Sequence, residues 1–173
     1  MVRLWRETSK IKAVGVSNFN VEQLEKIIDA TGVVPVMNQI ECHPNLIQPE
    51  LFEYCKKKGI VITAYSPLGN NITGKTRVID SPEIVDIAKR LNKEPAQVLI
   101  AWVAKQGFCV IPKSVTPKRI AVRKHRTCRL GGADEQSNFD DFELSDDDFE
   151  EISKVGRRNT ARANIAAIYE PAM

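Results

Sequence analysis

Residues that carry redox or metal chemistry are scarce in this sequence: 173 residues hold four cysteines and two histidines. Cys42, Cys55, Cys109 and Cys128 form no C-x-x-C pair, and neither His43 nor His125 has a second ligand at helical or finger spacing. The four cysteines could in principle pair or bind metal, but these spacings match no zinc module or dithiol redox motif. Cys42, Cys55 and Cys109 sit in or beside apolar runs, so reduced, buried thiols and no metal are expected. No apolar window approaches the ~18 residues of a membrane span, and MVRLWRETSK lacks the apolar centre of a secretory signal. A cytoplasmic protein is expected. No excess of one charge stands out either, because 25 basic side chains face 22 acidic ones, which gives no reason to expect a nucleic-acid partner. What is present, 43% apolar and 27% charged residues, suits one soluble globular domain. Collagen, coiled coil and wholesale disorder do not fit it.

The apolar residues alternate between two patterns. Ile11 to Val16 (IKAVGV) reads as a buried strand that ends at Gly and Ser. Asn20 then caps a helix, with Gln23 in capping-box position, Leu24, Ile27 and Ile28 as its apolar stripe, and Gly32 as its stop. Val36 to Ile40 is the next strand. Pro49 opens a helix (PELFEYCKKK) whose terminal lysines and Gly59 suit a helix C-terminus. Ile60 to Ala64 is a third strand, followed by a polar loop from Ser66 to Asp80. Ser81 with Pro82 begins one helix and Pro95 another, and Phe108 to Ile111 is a fourth strand. Thr116 and Pro117 signal a further helix that begins with Lys118 and Arg119. Ser145 and Asp148 have capping-box spacing before a last helix.

Near-continuous apolar strands separated by helical crossovers mean parallel βα units with right-handed connections. Four such units suit half of a (β/α)₈ barrel or part of an open doubly wound sheet. The segment after the first strand, VGVSNFN, has no G-x-G-x-x-G fingerprint, which favours the barrel. The expected class is therefore α/β, a partial (β/α)₈ TIM barrel of about four parallel units.

The segments at the strand ends are GVSNFN (Gly15–Asn20), NQIECHP (Asn38–Pro44), AYSPLG (Ala64–Gly69) and IPKS (Ile111–Ser114) followed by Arg119. In this order and spacing they resemble the second half of the aldo-keto reductases, NADP(H)-dependent (β/α)₈-barrel oxidoreductases. The resemblance covers about Ile11 to Ile120, then Phe142 to about Val155. It implies that Ser17, Asn18 and Gln39 hydrogen-bond the nicotinamide carboxamide. Tyr65 would stack flat on the nicotinamide ring, and Ser66 and Leu68 would belong to the loop over the pyrophosphate. Lys113 and Ser114 match the residues that hold the 2′-phosphate, and Arg119 the guanidinium that also covers the adenine. Without the family, Ser17-Asn18 is a helix entry, Gln39 a strand-end polar residue, Tyr65 a half-buried aromatic, and the basic segment a solvated helix start. His43 does not match the catalytic histidine of the family, and a structural role is expected for it.

The implied activity is reduction of an aldehyde or ketone to an alcohol, with a small carbonyl compound or alcohol as substrate and no nucleic-acid or membrane partner. The Asp, Tyr, Lys and His tetrad of the family has no matching position in this sequence, so the chain is expected to be inactive alone. The alternative is a non-catalytic NADP-binding or interaction fragment, or the product of a faulty gene model. An isolated half barrel is also expected to be poorly stable, because inward strand surfaces and two parallel edges lose their partners. After Arg119 the pattern departs from R-I-x-E-N: Val122 and Arg123 stand where Glu and Asn are expected, and adenine contacts are in doubt. The 16 residues Val122–Ser137 read as a disordered surface insert. They continue a basic stretch without interleaved aromatics, which argues against a nucleic-acid site. Gly156 to Met173 reads as a loop-like basic tail.

Overall fold

Among the described residues, side-chain capping marks the starts of three of the six α-helices. The computed structural model describes residues 1–69, 77–117 and 143–158. These fall into two compact units: Met1–Ile40 with Gln48–Thr63, and Glu41–Ile47 with Ala64–Met173. Strands neighbour one another in chain order, β1 (Val16–Ser17), β2 (Met37–Glu41), β3 (Val61–Tyr65) and β4 (Cys109–Val110), in one parallel sheet.

The first unit opens with α1 (Val2–Glu7), which has no side-chain cap and no buried residue. Nothing in its sequence marks it as a helix. The strand expected over Ile11–Val16 shrinks to β1, because the residues before it bond elsewhere. Trp5 Nε1 donates to the Lys12 carbonyl at 3.1 Å, and pairing begins only where the Val36 N–H meets the Val14 carbonyl at 2.9 Å. Helix α2 (Val21–Thr31) follows as expected. Asn20 Oδ1 accepts from the Gln23 N–H at 2.8 Å, and Gln23 Oε1 accepts from the Asn20 N–H at 3.0 Å. Gly32 ends the helix in the left-handed region at φ 65°, where glycine carries no Cβ penalty. Leu24 is the one fully buried residue of the stripe. Helix α3 (Pro49–Lys58) also begins and ends where expected, with Leu51 and Cys55 buried.

The second unit is built on α5 (Pro95–Lys105), whose Val98 to Val103 are all buried. Its start holds a capping box that the sequence reading misses, since Glu94 is not a typical cap residue: the Glu94 N–H donates to Gln97 Oε1 at 2.9 Å. Helix α4 (Pro82–Arg90) begins at Pro82 as expected, but Ser81 makes no side-chain cap bond. The last helix, α6 (Asp146–Arg158), includes the start of the stretch expected to be a loop-like tail. Its entry is half a capping box. Ser145 Oγ accepts from the Asp148 N–H at 3.1 Å and donates to Asp148 Oδ2 at 2.6 Å. The Asp148 carboxylate also receives Arg90 of α4 at 2.5 Å, and Arg90 reaches Glu151 at 2.8 Å. Trp102 seals this packing. It is 1% exposed, its Nε1 donates to Ser153 Oγ at 3.0 Å, and its ring stacks on Phe149 with centroids 5.6 Å apart.

Two buried polar groups lie beside each other in Glu41–Ile47. His43 Nε2 is 3.0 Å from Glu41 Oε1, both side chains being nearly inaccessible, in keeping with a structural histidine. Cys42 is free and fully buried. Burial first, and the Glu41 carboxylate second, push its thiol up to about 12. Cys55 is free as well. Cys109 is disulfide-bonded, which corrects the expectation of reduced thiols throughout. Burial alone does not separate the two states, because a disulfide sits in an apolar run as comfortably as a thiol.

Arg119, the Val122–Ser137 segment and the end of the tail lie outside the described residues. Among the described residues, no helix is long and apolar enough to cross a membrane, and no three metal-ligating side chains cluster.

A Cβ on buried Gly156 would overlap the Pro44 carbonyl, so Gly156→Ala should destabilise the fold by about 1–3 kcal/mol through overpacking. A thermal melt that matches the parent would contradict this. Cys42 binds its proton more tightly folded than unfolded, so its contribution is intact below the unfolded thiol range. That contribution is lost as pH rises through about 9 towards about 12, with a slope of about 1.4 kcal/mol per pH unit. Urea titrations across that range should show a steeper decline in the parent than in Cys42→Ala. Equal slopes would refute the assignment.

Candidate functional site

In the first unit the register of β1 on β2 pairs Val16 with Asn38 and Ser17 with Gln39. This places the Gln39 carbonyl where two donors meet it: Ser17 Oγ at 3.0 Å and the Asn18 N–H at 2.9 Å. Asn18 turns the chain with φ 60°, a left-handed conformation that asparagine tolerates better than most residues. Ser17 and Asn18 are exposed and Gln39 is half-buried. The structure therefore brings together the three residues expected at the carboxamide.

One residue of this cluster is absent from the sequence reading. Asn38 is 0% exposed, and its Nδ2 donates to the Phe19 carbonyl at 2.8 Å while its Oδ1 accepts from the Phe19 N–H at 3.4 Å. Burial pushes the Cys55 thiol up, and Asn38 acts on it in the opposite direction. The sequence does hold a signal for it. A carboxamide in a five-residue strand, MNQIE, must find partners if it is buried.

In the second unit, Tyr65 closes β3, and its carbonyl accepts from the Cys42 N–H at 3.3 Å. Ser66 follows at φ 49°, and the Gly69 N–H returns to the Ser66 carbonyl at 3.0 Å. Gly69 is required in this turn, for its φ is 65° and a Cβ would lie 2.6 Å from Val78 Cγ2. Leu68 lies half-buried within it. The Ile111 N–H donates to the Ala64 carbonyl at 3.0 Å, so the segment bearing Lys113 and Ser114 leaves from beside the end of β3. Lys113 is exposed. Ser114 Oγ accepts from the Thr116 N–H at 3.2 Å, which bends the chain just before Pro117. Tyr65, Ser66, Leu68, Lys113 and Ser114 thus occupy two neighbouring strand ends.

Both the sequence and the fold have known relatives. A family profile described as the Aldo/keto reductase family matches residues 6–125. The D/L-glyceraldehyde reductase of Hypocrea jecorina is 44% identical over 169 residues, which cover 94% of this chain and 46% of that protein. An aldehyde reductase of Saccharomyces cerevisiae is 40% identical over 153 residues, covering 87% of this chain and 43% of its own. The chain spans about half the length of the curated relatives it matches. Among solved structures, apo Gox0644 superposes with a TM-score of 0.76 at 39% identity, covering 94% of this chain and 53% of that one. A variant of Gox0644 in complex with NADPH gives a TM-score of 0.76 at 38% identity, covering 98% and 55%. Four parallel strands that match about half of each barrel are the partial (β/α)₈ barrel expected from the sequence. The chain belongs to the aldo-keto reductase family.

Proposed function

We propose that this chain carries the cofactor-holding groups of an NADP(H)-dependent carbonyl reductase. The observation that supports this most is the position of the candidate residues on their strands. Ser17 and Asn18 follow from β1, Tyr65, Ser66 and Leu68 from β3, and Lys113 and Ser114 from β4. In (β/α)₈ enzymes ligand groups come from the carboxyl ends of the strands.

The donor set suits such a cofactor chemically. Ser17, Asn18 and Gln39 offer the hydroxyl and amide groups that a carboxamide needs, and Tyr65 offers a flat ring. Ser66 and Leu68 contribute to the turn assigned to the pyrophosphate. Lys113 and Ser114 offer a cation and a hydroxyl to a 2′-phosphate, and Arg119 would add a second cation. Bound NADPH supplies a hydride to a carbonyl carbon. The groups of this chain orient the cofactor and fix which face of its ring is presented. The relatives named as glyceraldehyde and aldehyde reductases support a small aldehyde, ketone or the corresponding alcohol as substrate. None of the 173 residues matches the family's proton-donating tyrosine or its partners. On its own, the chain is a nucleotide-binding module rather than a competent reductase.

The expected behaviour is a preference for NADP(H) over NAD(H). Lys113 matches the residue that the family resemblance assigns to the 2′-phosphate, and no carboxylate occurs from Lys113 to Arg129 to take a ribose 2′-hydroxyl. Charge-assisted bonds contribute about 1.5–3 kcal/mol each, so two of them give a preference of about 10²–10⁴-fold. Fluorescence titrations of both cofactors, with Lys113→Met alongside, measure it. Equal affinities in the parent, or an undiminished preference in the variant, would refute the site. The same preparation should turn over no small aldehyde at the ~1–10³ s⁻¹ usual for enzymes, and a rate in that range would refute the module reading.

A further inference from the structure

We infer that Asn38 is a positioning residue for the nicotinamide end of the cofactor, acting through the Ser17-Asn18-Phe19 turn; this rests on the cofactor reading above. The turn leaves the ladder after Ser17, so the peptide groups of Phe19 have no strand opposite them. The Asn38 carboxamide takes that place. It donates to the Phe19 carbonyl at 2.8 Å and accepts from the Phe19 N–H at 3.4 Å, as a neighbouring backbone would. A side chain thereby extends the pairing of β1 past its last ladder residue.

The consequence concerns Ser17 and Asn18. Ser17 is held from one side through its own hydroxyl on the Gln39 carbonyl, and Asn18 through its N–H on the same atom. Phe19 is held by the residue immediately before Gln39. The two groups that would meet the carboxamide are therefore pinned at both ends by consecutive residues of β2. The left-handed φ of Asn18 is the bend that the two pins hold between them. Asn38 has no exposed surface with which to touch the cofactor itself.

The test uses the full chain and two probes that share an adenosine 2′-phosphate: NADPH, and adenosine 2′,5′-bisphosphate, which lacks the nicotinamide. Asn38→Leu keeps the branched outline and heavy-atom count of the side chain and removes both bonds to Phe19. It should weaken NADPH about tenfold or more, leave adenosine bisphosphate unchanged, and speed hydrogen exchange at the Phe19 amide. Cys55→Ala, which alters the same packing but keeps the clamp, should change neither ligand. Asn38→Asp, which sets an oxygen against the Phe19 carbonyl, should act in the same direction and serves if the leucine variant does not fold. Equal weakening of both ligands by an Asn38 variant would reduce the residue to general structure and overturn the inference, as would unchanged NADPH binding. If the parent binds neither probe, the cofactor reading fails. Exchange at Phe19 then decides the clamp alone, and an unaltered rate in both Asn38 variants overturns it.

Discussion

The carbonyl oxygen of Gln39 holds two donors, one from a side chain and one from the backbone, and the first unit is organised around that acceptor. Ser17 Oγ and the Asn18 N–H reach it only because β1 lies on β2 in the register Val16 to Asn38 and Ser17 to Gln39. In a parallel ladder a slip of one residue turns every side chain to the other face. Such a slip would carry Asn38 into the exposed position and Gln39 into the buried one. Asn38 opposes it, since in the observed register its buried carboxamide is paired with both backbone groups of Phe19. A buried polar group with specified partners thereby selects one alignment of an otherwise permissive strand.

The second unit solves a different problem. Its strand ends carry a partly buried turn at Ser66–Gly69 and an exposed Lys113, while its helices carry most of its buried apolar side chains. Trp102, Leu99, Ile84, Ile87 and Ile152 are at most 1% exposed. Ion pairs from Arg90 and Lys105 tie α4 and α5 to the acidic start of α6, where negative charge also suits the helix dipole. The Ser66–Gly69 turn needs two positive φ values, one of them at a serine. Rigid packing beneath and strained backbone above is the usual arrangement of a binding loop on a scaffold.

Local chemistry makes much of this legible in the sequence. The Asn20–Gln23 box, Pro49, Gly32 and Gly59 announce their helix ends because each acts within a few residues. What the sequence hides depends on distant or unconventional partners. The apolar run from Ile11 reads as a strand, yet its carbonyl at Lys12 goes to Trp5. The Glu94–Gln97 box uses an uncommon cap residue. The pairing of Cys109 is invisible to a count of apolar neighbours. The candidate site is legible only through the family's strand-end motifs, since serine, asparagine and lysine at such places are ordinary surface residues by composition. Asn38 escapes for the opposite reason: it stands inside a motif, where attention falls on the neighbour that faces solvent.

The central claim, proposed above, is that Ser17, Asn18, Gln39, Tyr65, Ser66, Leu68, Lys113 and Ser114 each contact a nicotinamide nucleotide. Amide chemical-shift mapping of the isotopically labelled chain during titration with NADPH tests it most directly. The account predicts that shifts concentrate at Ser17 to Phe19, at Gln39, at Tyr65 to Leu68 and at Lys113 to Ser114, while helices α4 and α5 stay still. Saturable shifts confined to other surfaces, with Ser17, Asn18 and Gln39 unmoved, would contradict it.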